Sequence, residues 1–418
     1  MSGFSFLSHL RCSRCERLYD CSTLFQLCEC GAPLLAQYDL AACRDVLTKQ
    51  ILATRPQTLW RYHELLPVNN PDSIVTLGEV MTPLIPLRER ARAMDMTSLI
   101  IKDEGMLPSG TFKARGAAVG ISKAKEFGVA SIALPTNGNA GAAWALYAAR
   151  AQMQATVVMP TSAPLTPRKE CVIAGADLYV VDGTIADAGQ IISRSTKANG
   201  WYDVSTLKEP YRLEGNKTIG FEIAEQFNWN PPDVIIYPTG GGEGVIGIYK
   251  AFRELQEMGW IEDRLPRMAI IQSAGCAPLV KAFEQGSKTS ELWDDPHTVA
   301  FGMRVPKALG DFLILDILEQ TNGIAISVTD EEIIQERMGT VMQEGLHVCP
   351  EGAAALAGAR KLRASGWIDQ QETVLVMNTG SGLKYVDQII SSGQPIKVDE
   401  MIGAFNSSFG AAGQGRVI

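Results

Sequence analysis

The sequence predicts an α/β protein whose parallel sheets are covered by helices on both faces. Two observations predict it. From about Ser98 onward, short β-branched runs alternate with longer amphipathic stretches, and polar or glycine-rich turns follow directly on several of the apolar runs. Strands joined through helices require crossover connections, which place helices over a parallel sheet. With 418 residues, the chain is long enough for two such domains and a small extra module.

In order along the chain, residues 1–36 form a Cys-rich segment, and residues 37–95 are mixed, with prolines at Pro67, Pro71, Pro83 and Pro86. SLIIK (98–102) predicts a strand and Lys113 to about Phe127 a helix. SIALP (131–135) precedes a helix over 139–151. ATVVMP (155–160) leads to a helix through Lys169, and ADLYVV (176–181) to one through Ile191. A helix over Arg212 to Phe227 is followed by DVIIYP (233–238), a glycine loop and a helix from about Gly244 to Met258. RMAIIQ (267–272) and TVLVMN (373–378) complete the predicted strands. The expected division is a module at 1–36 and a core at 37–418, with a smaller α/β subdomain at roughly 119–209.

The net charge of −8 argues against a surface built for nucleic acid or anionic membrane. No apolar run approaches the roughly 20 residues that span a bilayer. MSGFSFLSHLRCSRC lacks the pattern of a secretory signal, and the nine cysteines fit a reducing cytoplasm. The expected partner is a small molecule. The four histidines (His9, His63, His297, His347) share no motif, which leaves a His-centred triad or a zinc hydrolase without support and favours chemistry carried by a cofactor.

In α/β folds, ligands sit beyond the carboxyl ends of strands, and four segments fall there. In KDEGMLPSGTFKARG (102–116), Pro108 and Gly110 prescribe a turn that opens a helix. Lys113, beside Phe112, then lies in the first turn. Partial desolvation and the positive helix end disfavour its ammonium form, and a neutral amine can form a Schiff base. A surface lysine after a turn is the alternative. In PTNGNAGAAWALYAARA (135–151), Thr136, Asn137, Gly138 and Asn139 make a polar turn whose amides suit a carboxylate, and Asn139 could donate to a phenolate oxygen. An ordinary capped β–α turn reads the same way.

In YPTGGGEGVIG (237–247), Gly240, Gly241, Gly242, Glu243 and Gly244 follow a strand and open a helix, where successive amides can wrap a phosphate. The loop is neither a Walker loop nor a dinucleotide fingerprint. In NTGSGLKY (378–385), Thr379 could hydrogen-bond a ring nitrogen as a neutral partner, or simply cap.

Taken together and in this order, the segments resemble the fold-type II pyridoxal-phosphate (PLP) family, over roughly residues 75–390. The resemblance implies a two-domain tryptophan-synthase-β-like fold, with Lys113 carrying the cofactor in GTFKARG. It matches TNGN to the asparagine turn, GGGEG to the phosphate loop and Thr379 to the ring-nitrogen hydroxyl. PEGAAALAG (350–358) resembles the family's late motif. Within that family the chain most resembles the threonine synthases, through KDEGMLPSGTFKARG, RLEGNKT (212–218), TGSGLKY and the Cys-rich module. This implies conversion of O-phospho-L-homoserine and water to threonine and phosphate, with Arg212 as the leading candidate to meet the substrate phosphate and Lys208 and Lys217 behind it. DVSTLKEPYRLEG (203–215) departs from the common threonine synthase pattern, and so do KARG and the triple-glycine loop. The last two lean toward the ammonia-lyase and racemase branches, which stay open as the alternative. A non-catalytic amino-acid sensor is a third reading, against which the retained lysine and cofactor contacts count. A homodimer is the expected assembly.

Near the N-terminus, Cys12-Ser-Arg-Cys15 and Cys28-Glu-Cys30 are two knuckles able to place four thiolates around Zn²⁺. A module of this size has too little core to fold without a staple. The expectation is a zinc-ribbon-like structural module, with Cys21 as a possible substitute ligand and a degenerate metal-free knuckle as the alternative.

Overall fold

The computed structural model describes residues 3–388. One compact unit ends at Lys384 and a second begins at Tyr385; every element below lies in the first. The part of the expected core at 389–418 lies outside the described residues.

The Cys-rich segment folds around β1 (Leu7–Cys12), β2 (Leu18–Tyr19) and β3 (Leu34–Tyr38), an antiparallel sheet in the order β2-β1-β3. Two short helices, α1 (Leu40–Val46) and α2 (Lys49–Ala53), come next, each started by a side chain that accepts a first-turn amide, from Asp39 and Thr48 respectively. The mixed region ends in β4 (Leu84–Pro86) and α3 (Arg88–Ala93).

From there the predicted alternation is present: β5 (Ser98–Asp103), α4 (Lys113–Glu126), β6 (Ser131–Pro135), α5 (Asn139–Arg150), β7 (Gln154–Pro160), α6 (Leu165–Ile173), β8 (Asp177–Val181) and α7 (Ile185–Asn199). It continues as β9 (Tyr202–Asp203), α8 (Arg212–Gln226), β10 (Val234–Pro238), α9 (Glu243–Glu257), β11 (Arg267–Ser273), α10 (Pro278–Glu284) and α11 (Asp311–Gln320). The last elements are β12 (Ile324–Val328), α12 (Asp330–Glu344), α13 (Pro350–Ala364) and β13 (Thr373–Asn378).

Two sheets organise these elements. The larger runs β12-β11-β10-β13-β5-β4, with every pairing parallel except the antiparallel edge pair β4–β5. The smaller runs β8-β7-β6-β9, all parallel. Every residue of β10 is buried, as a central parallel strand covered on both faces requires.

The sequence pattern undercounts some elements. α7 runs eight residues past the expected Ile191, because beyond Ile192 it carries no large apolar side chain whose spacing could mark the helix. β12 and α11–α13 were not anticipated as elements. β12 has one strand neighbour and a half-buried pattern, so its apolar run is short and weak.

Strand order brings the chemistry together. β10, β13 and β5 are consecutive in the large sheet, and the glycine loop, Thr379 and the Lys113 segment each follow the carboxyl end of one of them.

Candidate active site

Lys113 is the first residue of α4 and keeps 22% of its side-chain exposure, enough to reach a ligand. Its Nζ lies 4.3 Å from the centre of the Phe112 ring, and that ring meets Tyr237 edge-on. Burial pushes the Lys113 ammonium below its ordinary value. Glu243 opposes the shift and Arg212 reinforces it. The segment is held in place through its backbone: Phe112 N–H donates to the Thr379 carbonyl at 3.0 Å, and Ser381 N–H donates to that of Gly110 at 2.8 Å.

The glycine loop is closely packed. Gly242 adopts φ +82°, and a Cβ there would lie 2.1 Å from Ile314 Cδ1. A Cβ on Gly244 would lie 1.9 Å from the Tyr237 hydroxyl oxygen. Among the described residues, the amides of Gly240, Gly241, Gly242 and Gly244 meet no hydrogen-bond acceptor, although Gly240, Gly242 and Gly244 are buried. Buried amides at a helix start call for an anion.

Thr379 is 6% exposed, and its Oγ1 lies 3.6 Å from Cys349 Sγ, a weak partner that leaves the hydroxyl able to serve a ligand. Burial pushes the Cys349 thiol well up, so it stays neutral. Asn378, next in the chain, donates to Asp103 at 2.7 Å and accepts from Cys349 N–H at 3.2 Å, which ties β13 to β5 and α13.

In the TNGN turn, Thr136 Oγ1 accepts from Gly138 N–H at 3.0 Å and Asn137 Nδ2 donates to the Arg304 carbonyl at 2.8 Å. Asn139 is half-buried and opens α5. Residues 302–305 therefore link this turn to the glycine loop, since a Cβ on Gly240 would lie 2.4 Å from the Gly302 carbonyl oxygen.

Sequence reasoning did not single out this segment, nor Glu351, which accepts from Gly302 N–H at 2.8 Å through Oε1 while its Oε2 is buried without a partner among the described residues. The one signal available was PEGAAALAG, which contains Glu351.

The substrate-phosphate candidates are placed apart. Arg212 is buried and paired with Glu243, and Nη1 donates to the Val204 carbonyl at 3.1 Å. Lys208 pairs with Asp203 at 3.0 Å on the connector leading to α8. Lys217 does not join them. It is fully buried between Glu214 (2.5 Å) and Glu254 (2.9 Å), 3.9 Å from the centre of the Tyr38 ring. Five residues after Arg212, it faces away on the helix.

A family model described as pyridoxal-phosphate dependent enzyme matches residues 75–380. A threonine synthase of Methanocaldococcus jannaschii is 35% identical over 391 residues, covering 93% of this chain and 96% of that protein. A threonine synthase of Methanosarcina acetivorans is 36% identical over 97% of this chain and 99% of that one. The chain belongs to the pyridoxal-phosphate dependent enzymes, in the threonine synthase family. Among solved structures, maize serine racemase superposes with a TM-score of 0.63 at 20% identity, covering 79% of this chain and 93% of that one. A threonine deaminase of Solanum lycopersicum gives 0.61 at 20%, covering 74% and 88%. These likenesses show the fold.

The residues present fit the cofactor this family uses. Unsatisfied buried amides in the glycine loop suit its anionic phosphate, Lys113 supplies an amine with a depressed pKa, and the Thr379 hydroxyl is left nearly unengaged.

In the Cys-rich segment, the sulfurs of Cys12, Cys15, Cys28 and Cys30 all lie within 4.8 Å of one another, with the pairs Cys12–Cys30 and Cys15–Cys28 at 3.5 Å. Zn–S bonds of about 2.3 Å in a tetrahedron place sulfurs at such separations. Cys21 stands outside this cluster and donates to the Ser8 carbonyl at 3.2 Å.

Proposed function

We propose that this chain converts O-phospho-L-homoserine and water to L-threonine and phosphate, by γ-elimination followed by β-addition of water. The observation that carries the reading is 35–36% identity with threonine synthases over nearly the full length of both chains. The PLP-dependent chemistry follows from the family.

When bound, PLP supplies the electron sink that makes carbanions at the substrate accessible. In this reading Lys113 would hold the cofactor through its amine. The same amine would move protons at the substrate Cα and Cβ. The amides of Gly240, Gly241, Gly242, Glu243 and Gly244 would hold the cofactor phosphate, Thr379 would meet the ring nitrogen and Asn139 the phenolate oxygen, with Phe112 beside the site. Thr136, Asn137 and Gly138 take the substrate carboxylate. Arg212 and Lys208 remain the candidates for the substrate phosphate. Lys217 is left out of this set because its ammonium is sealed among Glu214, Glu254 and Tyr38.

The division into a module at 1–36 and a core with a smaller subdomain at roughly 119–209 belongs to the same proposal, supported by the separate small sheet. So do structural zinc on Cys12, Cys15, Cys28 and Cys30, a homodimer, and a cytoplasmic location. No helix among the described residues is long and apolar enough to cross a membrane.

One observation favours the second reading, an ammonia-lyase or racemase for unphosphorylated hydroxy amino acids. The Arg212 charge is committed to Glu243 rather than left open to a phosphate. A substrate panel assayed for released phosphate, ammonia and oxo acid separates the two. Phosphate release from O-phosphohomoserine, lost by about a thousandfold or more in Lys113→Ala, is expected. Pyruvate or 2-oxobutyrate from serine or threonine, without phosphate release, would sink the threonine synthase reading.

A further inference from the structure

The glycine loop contains one group that a phosphate cradle does not need. Glu243 places a carboxylate at the first position of α9, where free amides and the helix end favour an anion, so it should repel a phosphorylated ligand unless cations answer it. Two cations do. Glu243 Oε2 accepts from Lys113 Nζ at 2.8 Å and from Arg212 Nη2 at 3.1 Å, and Oε1 lies 2.6 Å from Arg212 Nε as an ion pair. The three groups stand on the first turns of α4, α8 and α9, and the Glu243 side chain is only 2% exposed. At that burial solvent screens little, and the nearest charges dominate. Two further carboxylates face them: Glu351 from α13 acts on Lys113, and Glu209 from the turn before α8 acts on both Arg212 and Glu243.

We propose that Glu243 is the counter-ion of Lys113: it favours the protonated form of the lysine against the Arg212 charge, and it holds Arg212 beside it. The proposal rests on the reading of Lys113 as the attachment residue and assigns Glu243 a positioning role distinct from the phosphate cradle. Burial alone would raise Glu243, but the Arg212 guanidinium and the Lys113 ammonium outweigh it and keep the carboxyl below its ordinary value. The carboxylate therefore stays charged and favours the protonated lysine, while the Arg212 charge favours the neutral amine. Removing either charge must move the lysine in opposite directions, which a merely structural ion pair would not do.

The test uses full-length protein freed of cofactor. Pyridoxal phosphate is added over a pH series, attachment is trapped with borohydride, and the tag is mapped and quantified by mass spectrometry. In Glu243→Gln the pH of half-maximal attachment rate at Lys113 is expected to fall by about one unit, and in Arg212→Gln to rise. Glu243→Asp should restore part of the change. A tag at Lys113 with unmoved midpoints, or midpoints that move the same way in both variants, overturns the counter-ion role alone. A tag on another lysine overturns the attachment reading and the proposal with it. Should Glu243→Gln fail to fold, Arg212→Gln decides, and a midpoint that does not rise refutes the role.

Discussion

At the scale of single residues, the site depends on side chains that are absent as much as on those present. Among the described residues the amides of the four loop glycines meet no hydrogen-bond acceptor, and no side chain fits at Gly244 because the Tyr237 ring stands against it. Gly244→Ala is therefore expected to cost about 1–3 kcal/mol through overpacking, read as a lower midpoint in denaturant unfolding. It should also weaken cofactor retention, since the loop must shift to admit the methyl. An unchanged midpoint would mean that Tyr237 yields freely. Lys113, Phe112, the glycines and Thr379 were all legible as residue types at strand ends. The carboxylate of Glu243 was legible only as a letter in the loop, because its partners Lys113 and Arg212 are 130 and 31 residues away.

At the scale of elements, α8 shows how a helix start can carry both a site residue and a titrating group. Glu209 is 1% exposed, and its carboxylate accepts from Tyr211 N–H at 2.9 Å and Arg212 N–H at 2.7 Å. Burial dominates those two bonds and pushes Glu209 up to about 7, against an ordinary value of 4.5. A carboxyl whose folded pKa is raised binds its proton more tightly in the native state. Its contribution to stability is present below about 4.5 and disappears as the pH rises through about 7. Glu209→Gln, which keeps an acceptor and removes the titration, should gain stability relative to the parent across that window. Parallel denaturant curves at pH 5 and pH 7.5 measure this, and a constant difference between the two proteins would rule it out. The strands and the helices around the site were readable from periodicity because they alternate cleanly between apolar and polar stretches. The β12–α13 region was less so, because β12 is short and half-buried and α12 exposes much of its apolar surface.

At the scale of the molecule, the Cys-rich segment is packed into the same unit as α8. Tyr211, the residue before Arg212, is buried in a cluster with Leu10, Cys12, Cys28 and Leu34. Gln26 Nε2 donates to the Asp203 carbonyl at 2.7 Å, and Tyr38 donates to Glu214 at 2.9 Å. If the four thiolates hold zinc, stripping it with a chelator should lower the thermal midpoint by several degrees, about 4 °C or less per kcal/mol for a chain of this size. It should also raise hydrogen exchange at residues 203–212 before the large sheet is affected. Metal analysis that finds less than one zinc per chain in freshly purified protein would remove the premise, and unchanged exchange at 203–212 would remove the coupling.

What the sequence determined by itself was local. The alternation of strand and helix, the turn chemistry at strand ends and the spacing of the four cysteines depend on residues within a few positions of one another, and periodicity records such neighbours. What only the tertiary structure decided was pairing across distance: that β10, β13 and β5 lie side by side, that Arg212 is held by Glu243, and that Lys217 is sealed away from the site. Burial sets the strength and the partner of a charge, and burial is a property of the folded chain that no short window of sequence contains.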